Sequence, residues 1–326
     1  MGKYFKKAGL LSFFFIGILI VTGMLHANER DYPNRPISMI IPATAGGISD
    51  LISRVLAESL SQLLGQPVLP INKVGGGQLI GGNAVATSKP DGYTVGMQLL
   101  PSAIPEVYRY FQEPPYTSDD LIPVCRIANF VGILVVKSDA PWKNFKELVE
   151  FVKKNSNMKY GITARGGSPH ILMLIIEKTQ KIKFVDFPNP GDADVVTNIL
   201  GGHIPVGMVA YPSGKAQVQA GNLKVLAVYA EKRYELLSEV PTTGELGSPP
   251  GHFPCIGLFV SKGTPDSIVQ RLCEASRKIS EMESFQQKLF NLGFQPFFEN
   301  SQQYKESLNR YKKDIGDSLK GLGFVK

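Results

Sequence analysis

Cysteine is scarce in this chain of 326 residues, which contains only Cys125, Cys255 and Cys273. No two of them have the CxxC spacing of metal or redox sites, and three thiols cannot build a disulfide framework. Cys125 and Cys255 each precede an apolar, strand-like run, so a disulfide can join them if those runs lie side by side in an oxidising compartment. We expect buried free thiols, with that disulfide as the alternative.

Charged residues are also few, at 19% of the chain against 43% hydrophobic residues. The chain can therefore bury sizeable cores, and its length suits two α/β domains. The formal net charge of +7 falls to +4 without residues 1–27, which contain three lysines and no acidic residue. Because the basic residues are scattered, we expect no nucleic-acid partner, and a mild positive field favours small acidic solutes.

The short motifs of common enzymes are missing. The chain has no GxSxG elbow and no GxxxxGK[ST] loop, and the glycines between 75 and 82 do not fit GxGxxG because Ile80 takes the place of the third glycine. The four histidines, at positions 26, 170, 203 and 252, lack metal-ligand spacing. We expect no enzyme, no metal site and no cofactor. A hydrolase with a dispersed triad is the alternative that such motifs do not detect.

The first 27 residues have the pattern of an export signal. Lys3, Lys6 and Lys7 precede a charge-free run over residues 8–25, and the small residue Ala27 follows it. We expect cleavage after Ala27 and a soluble periplasmic protein. The run approaches the length of a membrane span, so an uncleaved anchor is the alternative.

Residues 42–50 join a strand pattern to a helix pattern. Residues 37–41 are apolar, as in a parallel strand buried on both faces, and apolar residues recur at helical spacing over 51–63. Gly46 and Gly47 let the backbone approach a ligand closely, and the first N–H groups of a helix have no partner inside it. This loop is therefore predicted to bind an anion. A tight turn that needs positive φ is the alternative explanation of the glycines.

A second loop of this kind follows the strand pattern of residues 160–163. It contains Gly166 and Gly167, and Ser168 is expected to cap a helix that has Pro169 at its first position. Both loops place a glycine pair and a serine between a strand and a helix. We therefore expect them to face each other across a cleft.

Strand and helix patterns alternate along most of the chain. This alternation predicts an α/β fold with mostly parallel sheets flanked by helices. Apolar strands near 129–136 and 255–260 are expected to form a two-strand hinge, followed by a mainly helical tail. The expected boundaries are a signal peptide at 1–27, a discontinuous first domain at 28–128 and 257–326, and a second domain at 129–256.

Short motifs follow one another in a fixed order along the mature chain. They are Tyr32 to Ile37, Pro42 with Gly46, Gly47 and Asp50, Gly65 to Val68, Asn72 with Gly75 to Gly82, Pro90 to Thr94, Tyr160-Gly161 with Gly166 and His170, Leu200 to Gly202, Ala220-Gly221 with Leu223 to Ala227, Arg233, Val240 to Thr242 with Glu245, and Gly263 to Pro265. The ordered set resembles the Bug family, the periplasmic solute-binding proteins of tripartite tricarboxylate transporters.

The resemblance implies a type II-like periplasmic binding protein with two domains. Such a protein closes on a carboxylate-bearing solute, in the manner of a Venus flytrap, and delivers it to the membrane permease subunits of the transporter. We expect a monomer. The alternative function for the same cleft is a periplasmic subunit that presents its ligand to a membrane sensor system.

The expected ligand-binding residues lie on the two loops and on two later strand ends. They are Thr44, Ala45, Gly46, Gly47, Ser49 and Asp50, then Thr163, Ala164, Arg165, Gly166, Gly167, Ser168 and His170, and finally Asn189 and Tyr211. Arg165 and residues 187–191 depart from the pattern of the Bug family, so the usual solute is not assumed.

Four of these side chains have alternative roles. Asp50 is expected to cap or brace its own helix, because a carboxylate would repel an anionic solute, with an indirect contact through water as the alternative. Arg165 either pairs with the solute's carboxylate or is a solvated loop cation. His170 is expected to pack or hydrogen-bond at the helix start, with ligand contact as the alternative. Tyr211, with Ser213, either lines the cleft or lies on the surface.

Overall fold

The computed structural model describes residues 31–111, 113–163, 165–230, 233–247, 255–321 and 323. The strands are β1 (Ile37–Ile41), β2 (Val68–Asn72), β3 (Thr94–Leu99), β4 (Leu121–Asn129), β5 (Gly132–Lys137), β6 (Lys159–Ile162), β7 (Val185–Pro188), β8 (Val206–Ala210), β9 (Leu223–Tyr229), β10 (Cys255–Ser261) and β11 (Gln295–Asn300). The α-helices are α1 (Ile48–Leu64), α2 (Leu79–Ala86), α3 (Leu100–Ala103), α4 (Phe145–Lys154), α5 (Ser168–Gln180), α6 (Asp192–Leu200), α7 (Tyr211–Gln219), α8 (Asp266–Ser280), α9 (Glu283–Asn291) and α10 (Ser301–Gly321). Short 3₁₀ helices cover Gly76–Gln78, Pro105–Tyr110, Ser118–Asp120 and Glu235–Leu237.

The strands form two sheets, with the orders β11-β4-β10-β3-β1-β2 and β7-β6-β8-β5-β9. β1 is parallel to β2 and β3, and β6 is parallel to β7 and β8. β10 is antiparallel to β3 and β4, β11 is antiparallel to β4, and β5 is antiparallel to β8 and β9. The predicted α/β class with two sheets flanked by helices is confirmed, but the sheets are mixed rather than mostly parallel. Apolar runs such as β5 and β10 indicate burial on both faces, and burial does not fix strand direction.

Helix α1 holds the first loop in position. Its residues Ile52, Leu56 and Leu60 recur every four positions and are almost completely buried in the core of the first sheet. Gly65 ends the helix in a left-handed conformation, with φ of 70°, and its N–H donates to the carbonyl of Ser61. The helix axis is thereby fixed, and its amino end points at the loop after β1.

The chain passes from the first sheet to the second between β4 and β5, through the buried residues Phe130 and Val131. It returns between Gly247 and β10, where residues 248–254 lie outside the described ranges. β10 lies wholly within the first sheet, between β3 and β4. The second passage between the sheets therefore comes before residue 255, earlier in the chain than the expected 255–260.

Strand β11 was not expected, since the tail after residue 265 was predicted to be mainly helical. It forms the edge of the first sheet beside β4, and its pairing shifts in register between Pro296 and Glu299. An edge position tolerates proline because one side of the strand needs no partner. The proline and the irregular alternation conceal this strand from pattern analysis.

The cysteines are free, as expected. Cys125 and Cys255 lie on the neighbouring strands β4 and β10, but Cys125 is opposite Leu258 and Cys255 is opposite Asn129. The offset in register separates the two thiols although the strands are paired. Both side chains are fully buried.

The expected signal peptide, residues 1–27, lies outside the described residues. Within the described ranges, no helix combines the length and the apolar character that crossing a membrane requires.

The centre of the first sheet is expected to reject even one added methyl group. A Cβ at Gly257 would overlap the ring of Tyr304 and the carbonyl oxygen of Cys125. We expect Gly257→Ala to lower the free energy of unfolding by about 1–3 kcal/mol, measured by urea denaturation. The matched change Gly316→Ala, on α10, meets open space and is expected to raise it by about 0.5–1 kcal/mol. Equal effects of the two changes would contradict this packing.

Candidate functional site

A cavity of about 510 Å³ lies between the two sheets. Residues that follow β1, β2 and β3 line it from the first sheet, and residues that follow β6, β7 and β8 line it from the second. β1 to β3 are mutually aligned in parallel, as are β6 to β8, so their carboxyl ends meet at one edge of each sheet. Ligands of open α/β sheets bind at such edges.

The two glycine loops have the same backbone geometry. Gly46 and Gly166 are both left-handed, with φ of 78° and 81°. Gly47 and Gly167 follow as the N-caps of α1 and α5, with φ/ψ of −71°/166° and −70°/162°. The positive φ at Gly46 and Gly166 is readily adopted only by glycine. The repeated device predicted from the sequence is therefore present, and both glycine loops contribute to the lining of one cavity.

The capping residue of α5 differs by one position from the one expected. Gly167, not Ser168, is the N-cap of α5, and Pro169 is the second helical residue rather than the first. In α1 the N-cap is Gly47, and Ser49 is the second helical residue. The expectation followed the statistical preference for serine at caps, whereas here glycine occupies both caps.

Several helical N–H groups at the two loops have no acceptor within the described residues. The first backbone hydrogen bonds are those from Leu51 to Gly47 in α1 and from Ile171 to Gly167 in α5, each 3.0 Å long. The N–H groups of Ile48, Ser49 and Ser168 precede these bonds, and the three residues line the cavity. Together with the positive ends of two helix dipoles, they form an environment suited to an anion.

Each loop is closed by an acceptor four residues after its first glycine. The N–H of Gly46 donates to Oδ2 of Asp50 at 2.9 Å, and the N–H of Gly166 donates to Nδ1 of His170 at 3.0 Å. The two side chains thus have the same structural role in the two loops. Neither is among the residues that line the cavity.

Asp50 has a structural role, as expected, and it braces the first loop as well as its own helix. Besides the Gly46 amide, its carboxylate accepts hydrogen bonds from Nε of Arg54 and Nδ2 of Asn72, each 2.9 Å long. Burial raises the pKa of Asp50, but these hydrogen bonds outweigh burial and hold the pKa below its usual value. The carboxylate is therefore ionised and fully engaged within the protein.

His170 has the structural role that was expected. It is 6% exposed, and its ring meets the ring of Phe111 edge-on with centroids 5.1 Å apart. Burial lowers the pKa of His170 to about 4, so the ring is neutral at pH 7 and its Nδ1 can accept the Gly166 N–H.

Arg165 lies outside the cavity lining. Its guanidinium donates to both carboxylate oxygens of Asp186, at 2.5 and 3.3 Å, and its side chain is 64% exposed. The carboxylate that it pairs with therefore belongs to the protein. The partner stands 21 positions later in the sequence, on the edge strand β7, and the sequence pattern did not indicate it.

Tyr211 is neither on the surface nor in the cavity lining. It is 2% exposed, its ring meets that of Tyr234 edge-on at 5.3 Å, and its neighbours Pro212 and Ser213 line the cavity instead. Asn189 does line the cavity, but its amide is occupied by the protein: it donates to the carbonyl of Phe187 and accepts from Asn198, both at 2.7 Å.

The predicted residues that line the cavity share a backbone close to a helix start or a strand end. They are Thr44, Ala45, Gly46, Gly47, Ser49, Thr163, Gly167, Ser168 and Asn189. Those that do not line it are Asp50, Arg165, Gly166, His170 and Tyr211. Ala164 lies outside the described residues.

The sequence analysis missed the aromatic and apolar wall of the cavity, together with Asp192. Tyr108, Phe130 and Tyr229 line the cavity from regions without a glycine motif. Asp192 stands directly after Gly191, at the start of a helix that follows a strand. The sequence pattern of a strand, a glycine and a helix, which located the two loops, could also have identified Asp192. Among the described lining residues, Asp192 is the one aspartate, and none is a glutamate, lysine, arginine or histidine.

The two halves of the molecule also touch beside the cavity. Ile171 and Ile175 of α5 belong to the same buried cluster as Ile104 and Tyr108, which lie near the end of β3. Across the cavity, a Cβ on Gly191 would lie 3.5 Å from Oγ1 of Thr44. The two walls of the cavity therefore also approach each other closely at Gly191.

Comparisons with known proteins point in one direction. Residues 52–322 match the model of the TctC family, described as the tripartite tricarboxylate transporter family receptor. A Cupriavidus necator protein named "UPF0065 protein in gbd 5'region" is 32% identical over 308 residues, which is 92% of this chain and 91% of that protein. The solved structure of the periplasmic binding protein BugD has a TM-score of 0.82 at 27% identity and covers 90% of this chain and 100% of BugD. R. palustris Rpa4515 with adipate has a TM-score of 0.83 at 24% identity, with 90% and 98% of the two chains covered, and shows likeness of fold.

Replacing the acceptor in the first loop is expected to weaken the folded state. Asp50→Asn keeps the shape of the side chain but removes the charge that assists its hydrogen bonds with Arg54, Asn72 and Gly46. We expect the free energy of unfolding at pH 7 to fall by about 1–3 kcal/mol in urea denaturation. Asp317→Asn, which changes an exposed carboxylate on α10, is the control and is expected to alter it by less than about 0.5 kcal/mol.

The effect of Asp50→Asn depends on pH in a defined direction. Because the pKa of Asp50 is lowered in the folded protein, its stabilisation is complete above the unfolded pKa of about 3.9. It is lost as the pH falls through the lower, folded-state pKa. The difference in stability between the wild type and Asp50→Asn is therefore expected to shrink below about pH 4. A difference that stays constant between pH 7 and pH 3 would contradict the bracing role of the ionised carboxylate.

Proposed function

Because the chain belongs to the TctC family of tripartite tricarboxylate transporter receptors, we propose that it captures a small carboxylate-bearing solute in the cavity and delivers it to the membrane permease of such a transporter. The family consists of periplasmic solute-binding proteins. We propose reversible capture without catalysis, by a monomer that is exported after removal of residues 1–27.

The observation that carries this proposal is the pair of helix starts at one cavity. Ile48 and Ser49 of α1 and Ser168 of α5 line the cavity, and their N–H groups have no acceptor within the described residues. The described lining residues include no lysine, arginine or histidine. A bound carboxylate would therefore be recognised by backbone amides and helix dipoles rather than by a basic side chain.

These contacts are strong enough for a transport receptor. A hydrogen bond to a charged group contributes about 1.5–3 kcal/mol, and each helix dipole about 0.3–1 kcal/mol. Association costs several kcal/mol in lost translational and rotational freedom. Three or four such contacts, with apolar burial of the rest of the solute, bring the net free energy to about −8 kcal/mol, which corresponds to micromolar affinity.

We further propose two domains, one built on each sheet, that close on the solute. The expected bounds, 28–128 with 257–326 and 129–256, are adjusted because Asn129, Cys255 and Ile256 lie in strands of the first sheet. The proposal is supported by the passage of the chain between the sheets at Phe130 and Val131 and by the contribution of both sheets to the cavity lining. A solute held by α1 and α5 together would favour the closed state, because it binds that state with more contacts than the open one.

The proposal is tested by removing single amide donors. Ile48 and Ser168 are the first residues of α1 and α5, where a helix tolerates proline, and Gly47 and Gly167 before them already have extended ψ, as proline requires. We expect Ile48→Pro and Ser168→Pro each to weaken binding about 10- to 100-fold. The measurement is isothermal titration with the tightest solute from a thermal-shift screen of mono-, di- and tricarboxylates, amino acids and aromatic acids.

Alanine variants at the same positions are the matched controls. Ile48→Ala loses the same side-chain packing as Ile48→Pro but keeps the N–H, and Ser168→Ala keeps the N–H of α5. We expect both to bind within a few-fold of the wild type. Proline variants that bind as tightly as the alanine variants would refute backbone recognition, and a screen without any carboxylate ligand would refute the proposed function.

A further inference from the structure

Within the described ranges, Asp192 is the one acidic residue that lines the cavity, and no basic residue lines it. It is the first residue of α6, directly after the N-cap Gly191. Its Oδ2 accepts a hydrogen bond of 2.9 Å from the backbone N–H of Ala210, at the end of β8, and Ser213 also hydrogen-bonds the carboxylate. Asp192 is therefore held at the junction of α6, β8 and α7.

These hydrogen bonds place the carboxylate of Asp192 at the amino end of α7. Ala210 is the N-cap of α7, and Ser213 lies in the first turn of that helix. A negative charge there compensates the positive end of the helix dipole. The starts of α1 and α5 differ, because Ile48 and Ser168 line the cavity and their N–H groups have no acceptor within the described residues. The amino ends of α1 and α5 can therefore accept an anion, whereas the amino end of α7 already interacts with the carboxylate of Asp192.

Asp192 is the residue of the described cavity lining that can carry a negative charge near neutral pH. Burial raises its pKa to about 6, while the hydrogen bonds from Ala210 and Ser213 act in the opposite direction. At pH 7.5, above that pKa, the wall of the cavity therefore carries a negative charge. The described residues that line the cavity supply no cationic side chain to offset a further anion.

Given the proposed function, on which this inference rests, we propose that Asp192 determines specificity by occupying the place that a second carboxylate of the solute would take. The start of α6 lies close to the first loop, since a Cβ on Gly191 would be 3.5 Å from Oγ1 of Thr44. A dicarboxylate bound at α1 and α5 would bring its second charge towards Asp192 in a partly enclosed cavity, where like charges repel more strongly than in bulk water.

The solute that fits this arrangement is a monocarboxylate. Its remaining part is neutral or donates hydrogen bonds, because a carboxylate has acceptor capacity beyond the bonds that Ala210 and Ser213 make. The apolar and aromatic wall that includes Tyr108, Phe130 and Met208 provides contact for an uncharged body.

The experiment compares acids that differ only in one end group. Hexanoate with adipate, and butanoate with succinate, are titrated at pH 7.5 into the full-length mature protein and its variants by calorimetry. We expect the wild type to bind the monoacid at least about tenfold more tightly than the diacid in at least one pair, the size of effect expected from one interacting charge. In Asp192→Asn the diacid is expected to gain at least tenfold, relative to the monoacid.

Asp194→Asn is the control, because it removes one negative charge from the same helix turn at an exposed position outside the cavity lining. It is expected to leave the monoacid-to-diacid ratio unchanged, which separates a local effect from a change in net charge. Asp192→Ser, which also removes the charge and retains a hydroxyl, replaces Asp192→Asn if the latter unfolds.

The outcomes separate this inference from the function on which it rests. Equal affinities of the wild type for monoacid and diacid, or an unchanged ratio in both Asp192 variants, would overturn the role of Asp192 while carboxylate capture stands. An equal shift in Asp194→Asn would also overturn it. Failure of every acid to bind to any of the proteins would refute carboxylate capture, and with it this inference.

Discussion

The first amide groups of a helix find no acceptor inside the helix, and the whole site depends on where the protein directs them. β1 to β3 run parallel, as do β6 to β8, so the helices that follow begin at one edge of each sheet. Gly46 and Gly166 turn the chain sharply at that edge, and Gly47 and Gly167 begin the helices. Their positions explain why a cavity without a basic side chain among its described lining residues still suits an anion.

In both glycine loops the first glycine donates its N–H to a side chain four residues later, but the accepting groups differ. In the first loop the acceptor is the charged carboxylate of Asp50, which is held by Arg54 and Asn72. In the second loop it is the neutral ring of His170, which is held by burial and by contact with Phe111. A neutral histidine can accept the Gly166 amide only while Nδ1 carries no proton. Its burial, which disfavours the charged form, therefore preserves the loop geometry across the physiological pH range.

The sequence predicted those parts of the structure that depend on local chain geometry. Glycine pairs between a strand pattern and a helix pattern located both loops, because only glycine readily adopts the backbone at Gly46 and Gly166. Serine preference at caps misplaced the start of α5 by one residue, because the caps are glycines. The alternation of strands and helices gave the fold class, but it could not give the direction of β5 and β10, which depends on connections far along the chain.

Side-chain partners that are distant in sequence were beyond such reasoning. Arg165 looked available for a ligand because Asp186, its partner, stands on the neighbouring strand β7. Tyr211 looked like a cleft residue because it directly follows β8, yet its ring packs against Tyr234. Asp192 had the same strand, glycine and helix context as the predicted loops, and its contact with Ala210 became apparent only in three dimensions.

The shared cluster of α5 and the chain after β3 has a thermodynamic consequence. Ile171 and Ile175 are buried with Ile104 and Tyr108. Separating the two sheets would therefore expose these apolar side chains to water as well as open the cavity. Exposure of apolar surface raises the heat capacity. Closure around a solute would therefore carry a negative heat-capacity change larger than a small acid alone can account for, and the enthalpy of capture would vary steeply with temperature.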